Sequence, residues 1–310
     1  MQKLLALSLA LILALVGGCA PGQAVPAVGQ PVKTAGSEFP LSITDDAGRT
    51  VKIEKPAKRI VSLAPSNTEI LFALGLGDSV VGVDDYSNYP NEAKSKEKVG
   101  SFADTSIEKV VALEPDLVLA TNIHVKTVVP KLETRGLATV VVQPKNLARL
   151  LDNIRTVGTL AGKAREAETL ADGLQRRVED IANKTKTASS RPRVFFELDA
   201  KLYTVGPGTF ADDMIDKAGG ANIAADAKTE WPQLSLEAIV LKDPDIVFLA
   251  DHGFGETVDK VKGRPGWEKI TAVRNDRVIP LDPDLVNRPG PRAVDGLDLM
   301  ARALHPESFK

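Results

Sequence analysis

A ten-residue segment that occurs twice constrains this chain more than any other feature. Ile107-Glu108-Lys109-Val110-Val111-Ala112-Leu113-Glu114-Pro115-Asp116 matches Leu236-Glu237-Ala238-Ile239-Val240-Leu241-Lys242-Asp243-Pro244-Asp245. Glu108 to Glu237 and Pro115 to Pro244 both span 129 positions, so the register is kept. Each copy reads as a short helix, a Pro-Asp turn and the entry to a strand. Two readings follow. Either two lobes share one construction, or a unit common in α/β proteins recurs by chance.

The flanking sequence favours two lobes. Ser42 to Ile53 reads as a hairpin turning at Asp46-Ala47-Gly48. Arg59–Leu63, Val80–Val83, Leu117–Ala120 and Thr139–Val142 are short apolar strands. Helices alternate with them. One is capped by Ser66 or Asn67, with Glu69 in its first turn, and ends at Gly75 or Gly77. A second is capped by Ser106, and a third covers Thr127–Arg135. The later half repeats the scheme with strands at Arg193–Leu198, Ile246–Ala250 and Arg277–Leu281. Its helices are Phe210–Ala218, Leu236–Leu241 and a last one that begins near Pro291 and ends before His305-Pro306. Such alternation predicts an α/β fold with two Rossmann-like lobes, each built on a parallel sheet covered on both faces.

Residues 146–188 lie between the halves and are helical in composition, with a break at Gly162. Leu170, Leu174, Val178 and Ile181 recur at helical spacing in Lys163 to Lys186. That helix would be roughly 36 Å long at 1.5 Å per residue. A long helix between two lobes is a rigid backbone and predicts small hinge motion. The boundaries are then 38–145 for the first lobe, 146–188 for the connector and 189–310 for the second.

The N-terminus points outside the cell. Lys3 precedes an apolar run from Leu4 to Val16, then Gly17-Gly18-Cys19. Residues 1–18 have the layout of a secretory signal peptide, too short for a span of about 20 apolar residues. Val16-Gly17-Gly18-Cys19 resembles the bacterial lipobox, which implies cleavage before Cys19 and its lipidation; a plain signal peptide beside an incidental cysteine is the alternative. Ala20 to Ser37 is rich in Pro, Gly, Ala and Val and reads as a disordered tether, completing a 19–37 anchor segment. The protein is thus read as exported and lipid-anchored, facing a periplasm or the cell exterior. Cys19 is the sole cysteine, so the body has no disulfide, thiolate metal site or cysteine nucleophile. A net charge of −2 gives no basic field suited to nucleic acid.

Catalytic patterns are missing. There is no Walker loop, GxSxG, HExxH or glycine-rich dinucleotide fingerprint. The chain is read as a monomeric binding protein with no catalytic cofactor. His124 and His252 each lie just beyond the equivalent strand of its half, where ligands sit in open α/β sheets. They are either polar loop residues near a cleft rim or a pair able to hold a metal or a haem iron. Two histidines without carboxylate support make a thin metal site.

From Arg59 onward the body resembles the helical-backbone (class III) substrate-binding proteins of ABC importers, which handle vitamin B12, ferric siderophores and haem. The likeness is carried by Ser62-Leu63-Ala64-Pro65-Ser66-Asn67-Thr68-Glu69, Val81 to Pro90, Trp231-Pro232-Gln233-Leu234-Ser235 and Pro280 to Arg292. It is strongest toward the cobalamin-binding branch. The resemblance implies capture of cobalamin or another corrinoid between the lobes, with haem or a ferric siderophore as the alternative ligand. It implies that Tyr86, Phe102, Tyr203, Trp231, Asp284 and Arg288 line the pocket. Thr121 stands where that branch has another aromatic. Phe102 taken alone is equally a core residue, and Trp231 a loop residue of pocket or core. The resemblance further implies that Glu108 and Glu237 dock onto arginines of a two-fold permease dimer with its ATPases. Each glutamate also suits its helix dipole.

Overall fold

The computed structural model describes residues 38–101, 103–188 and 190–310. The signal peptide, Cys19, the tether and Phe102 lie outside the described residues.

The chain enters through a hairpin. β1 (Leu41–Thr44) pairs antiparallel with β2 (Thr50–Ile53). Val51 and Ile53 are buried and alternate with exposed Thr50 and Lys52, so one face lies on the body. The Asp45 carboxylate closes the turn by accepting the backbone N–H groups of Ala47 and Arg49 at 3.0 and 2.9 Å. It also accepts the N–H of Val141 at 3.0 Å, which ties the hairpin to the first sheet.

That sheet holds β3 (Ile60–Ser62), β4 (Val80–Val83), β5 (Glu97–Lys98), β6 (Leu117–Ala120) and β7 (Thr139–Val141). All pair parallel, in the order β5-β4-β3-β6-β7. The second sheet holds β8 (Arg193–Glu197), β9 (Ala221–Asn222), β10 (Ile246–Leu249) and β11 (Val278–Pro280). It too is parallel, in the order β11-β10-β8-β9. Every residue of β3, β6, β7 and β10 is buried, which is why these strands are apolar apart from Ser62 and Thr139.

One helix starts differently from the sequence expectation. It spans Pro65–Ala73 with Ala64 at the N-cap and no side-chain cap, so Ser66 and Asn67 are buried helical residues. Proline suits a first helical position because that N–H has no acceptor within the helix. Gly75 ends the helix at φ +69°.

Two helices connect the sheets, Leu147–Leu160 and Ala164–Lys186, with Gly162 at φ +73° between them. Asn146 caps the first by accepting from Arg149 N at 2.7 Å. They pack closely: a Cβ on Gly158 would lie 2.2 Å from the Ala167 Cβ. One continuous apolar core runs from Ile60 and Leu117 through Ile154, Leu174 and Val178 to Val194, Phe248 and Leu297. Separate clusters around Val61, Val110 and Val118, and around Phe195, Val247 and Trp267, cover the opposite faces of the two sheets. The final helix, Ala293–Leu304, belongs to the shared core.

The sequence repeat is also a structural one. Ser106 caps Ile107–Ala112 by accepting from Lys109 N, and Ser235 caps Leu236–Lys242 by accepting from Ala238 N. Glu114 and Asp243 both adopt the left-handed conformation, at φ +44° and +41°. Asp116 then accepts the backbone N–H of Arg59 at 3.2 Å, as Asp245 accepts that of Arg193 at 2.8 Å. Both arginine side chains reach back to the matching carbonyls, Leu113 and Lys242, at 2.7 and 3.2 Å. Helix, turn and strand entry are built alike in the two halves.

Candidate ligand-binding cleft

Segments that follow strands of both sheets meet around a cleft of about 490 Å³. Ala64, Pro65 and Ser66 follow β3, Tyr86 follows β4, Thr121 and Ile123 follow β6, and Gln143 follows β7. From the second sheet come Phe254 after β10, and Asp284, Asn287 and Arg288 after β11. Carboxyl ends of parallel strands are the usual place for a ligand in open α/β sheets, and this volume falls in the range of small-molecule sites.

The sequence-predicted residues Tyr86, Asp284 and Arg288 therefore share one cleft. Tyr86 is 54% exposed. Its loop is fixed from beneath by Asp84, which is buried and accepts from Tyr86 N at 2.9 Å. The other Asp84 oxygen takes the Ser87 hydroxyl, which lies 2.7 Å from the Thr68 hydroxyl. Thr68 donates on to Ser62 at 2.8 Å. Burial pushes the Asp84 carboxyl above the usual range, and the Ser87 hydroxyl and the Tyr86 N–H draw it back.

Arg288 sits in a paired network that joins the two sheets. Its guanidinium lies 2.7 Å from Asp284 and 3.7 Å from Glu69, and donates to Asn88 Oδ1 at 2.7 Å. Asn88 Nδ2 donates in turn to Asp284 Oδ2 at 3.3 Å. Behind it, Arg292 donates to both oxygens of buried Glu69, at 3.0 and 2.6 Å, and stacks on the Tyr89 ring at 3.8 Å. Burial raises the Glu69 carboxyl above its ordinary value, opposed by the Arg292 hydrogen bond and charge. Two arginines face two carboxylates, so the network is neutral as a whole.

Other expected residues lie elsewhere. Tyr203 and Trp231 are exposed and close together, since Tyr203 bridges to Gln233 across an antiparallel pair. Neighbouring Glu230 forms an ion pair with Lys145, two positions beyond cleft-lining Gln143. His124 is 1% exposed, and its Nδ1 accepts the backbone N–H of Thr121 at 3.0 Å. His252 is exposed on the loop after β10. Among the described residues no group of three or more His, Cys, Asp or Glu is arranged to hold a metal ion. Glu108 and Glu237 are exposed, each beside its capping serine. Hydrogen bonding to its own N–H and to Ser235 lowers the Glu237 carboxyl.

Four contributors have no site role in the sequence reading. Glu69 reads as a first-turn acid, yet the helix starts at Pro65 and Glu69 pairs with Arg292; Asp84 and Asn88 lie in the Val81 to Pro90 segment that carries the resemblance, and Phe254 is marked only by its two flanking glycines.

Comparison with known proteins agrees with this architecture. Residues 60–285 match the periplasmic binding protein family. An uncharacterized ABC transporter substrate-binding lipoprotein of Bacillus subtilis, YvrC, is 37% identical over the full length of both chains. A vitamin B12-binding protein of Vibrio cholerae is 34% identical over 78% of this chain and 87% of its own. The periplasmic heme-binding protein RhuT of Roseiflexus sp. RS-1 superposes with a TM-score of 0.73 at 30% identity, covering 81% of this chain and 99% of its own. With two parallel-sheet halves on a shared helical backbone and a cleft at their strand ends, the chain belongs to the periplasmic binding protein family and is an ABC transporter substrate-binding protein.

Proposed function

We propose that this protein captures cobalamin or a related corrinoid in the cleft and delivers it to an ABC permease. The observation that carries the reading is the neutral, paired state of the cleft's charges. Among the described lining residues, Asp284 and Arg288 are the charged ones, and they pair with each other. Arg292, the other arginine nearby, is committed to Glu69. An anionic ferric siderophore, or haem with its two carboxylates, would compete with Glu69 and Asp284 for these guanidiniums. A corrinoid is a broad apolar disc fringed with neutral amides. It needs apolar walls and hydrogen-bonding groups at the rim. Tyr86, Ile123 and Phe254 supply exposed apolar surface, and Gln143 and Asn287 supply amides. Tyr203, Trp231 and Phe102 are assigned to the ligand on the resemblance alone, Tyr203 and Trp231 being absent from the cleft lining and Phe102 lying outside the described residues. The similarity to a vitamin B12-binding protein supports it.

Delivery is assigned to Glu108 and Glu237, one exposed carboxylate per half at matching places in the repeat. The lobes are 38–145 and 189–310, joined by 146–188, with lipidated Cys19 holding the body at the membrane through 20–37. Calorimetric titration of protein lacking residues 1–37 with cyanocobalamin, haemin and a ferric hydroxamate tests the ligand. Cyanocobalamin is expected to bind with Kd below about 10 μM. Binding of haemin or the hydroxamate alone would replace the corrinoid reading with the other ligand class.

A further inference from the structure

The loop after β10 carries a side chain for which the fold itself has no use. Phe254 is 79% exposed, although burying a phenylalanine stabilises a fold by roughly 1.5–3 kcal/mol. Single exposed apolar residues are common and need no explanation. This one lies on the wall of the cleft that also holds exposed Tyr86 and Ile123, and it comes from the other sheet.

The backbone is shaped to put it there. Gly253 and Gly255 flank the ring at φ +92° and +105°, conformations that residues with a Cβ rarely adopt. Space does not demand glycine, because a Cβ at either position would meet nothing within 4 Å. The requirement is conformational. The stem of the loop is held firmly by contrast. Glu256 pairs with Arg264 at 2.8 Å, and Arg264 grips both oxygens of buried Glu197 at 2.7 and 2.6 Å. The same guanidinium stacks on Trp267 at 4.7 Å. The anchored stem thus presents the Phe254 ring at a glycine-flanked tip on the cleft wall.

We propose that Phe254 is a ligand-contacting specificity residue, an aromatic cap that closes on the apolar face of a planar macrocycle seated against Tyr86. This inference rests on the corrinoid reading of the cleft. The ring adds its contact at small side-chain cost, since a phenylalanine has only two χ angles to fix. A ligand without a broad apolar face would gain little from it.

The test uses the purified full-length protein and cyanocobalamin. Phe254→Ala is expected to weaken binding about tenfold. Gly253→Ala with Gly255→Ala is expected to weaken it similarly and to lower the thermal unfolding midpoint, because alanine is strained at these positive φ values. Leu299→Ala removes an equally apolar exposed side chain from the last helix and should leave affinity as it was. Phe254→Trp gives a direct readout of position. Corrinoids absorb where tryptophan emits, so this variant should show a larger fractional quench on titration than the parent. If the parent binds cyanocobalamin while Phe254→Ala binds within twofold and Phe254→Trp adds no quench, the cap is overturned and the corrinoid reading stands. If the parent fails to bind, both fall.

Discussion

Glu197 ends β8 fully buried, with Arg264 on both its oxygens. Burial raises its carboxyl from 4.5 to about 6, against the pull of Arg264. Between those values the unfolded chain has lost this proton and the folded chain still holds it. Stability therefore falls as pH rises through that window, by about 2 kcal/mol at 1.36 kcal/mol per unit. Glu197→Gln should flatten this part of the stability–pH curve measured by urea unfolding. Glu69 poses a different question, because its partner comes from the other lobe. Arg292→Ala leaves a buried carboxylate short of its main partner and is expected to destabilise by about 3 kcal/mol. The double variant Glu69→Gln, Arg292→Met should recover part of that loss in the same assay. Asp84 holds the Tyr86 loop, which the proposed reading places against the ligand. Asp84→Asn leaves one of two acceptors facing an N–H or O–H mismatched. Cyanocobalamin titration should report weaker binding, alongside a loss of about 1–3 kcal/mol in stability.

At the scale of elements, the two backbone helices meet where Gly158 faces Ala167. Gly158→Ala should destabilise by about 1–3 kcal/mol by forcing these helices apart, despite alanine's better helix propensity; thermal unfolding checks this. Elements were largely legible in the sequence because the signals are local. Buried parallel strands such as Val80–Val83 and Leu117–Ala120 are apolar throughout, and turn residues bound them. Ser106 and Ser235 announce their helices by cap chemistry that acts over three residues. The start of the first helix was misjudged because Pro65 both stops a strand and opens a helix. The cleft was legible only in part. Tyr86, Asp284 and Arg288 were found by likeness to other binders, whereas the pairs that organise them join residues 200 and 223 positions apart. No periodicity or cap motif encodes contacts of that span. Phe254 was overlooked because an exposed aromatic between glycines looks like ordinary loop until the opposite wall is in place.

For the whole molecule, the shared core is the governing fact. Residues of both sheets and both backbone helices lie in one apolar cluster. The lobes should melt together, giving one calorimetric transition whose van't Hoff and calorimetric enthalpies agree. Two separate transitions would show that the lobes are independent. The repeat makes a second prediction at this scale. Glu108→Lys with Glu237→Lys should abolish ligand uptake in cells while the purified protein keeps its affinity for cyanocobalamin. A parallel loss of affinity would remove these glutamates from the docking role.

The continuous core also bears on traffic at the membrane. On the small hinge motion that the long connector predicts, Glu108 and Glu237 keep the same separation whether the cleft is filled or empty. On the docking proposed above, vacant copies occupy the permease as readily as filled ones. They then act as competitive inhibitors of their own transporter. Uptake of a scarce ligand should rise with the protein's copy number, pass through a maximum and decline once vacant copies outnumber filled ones.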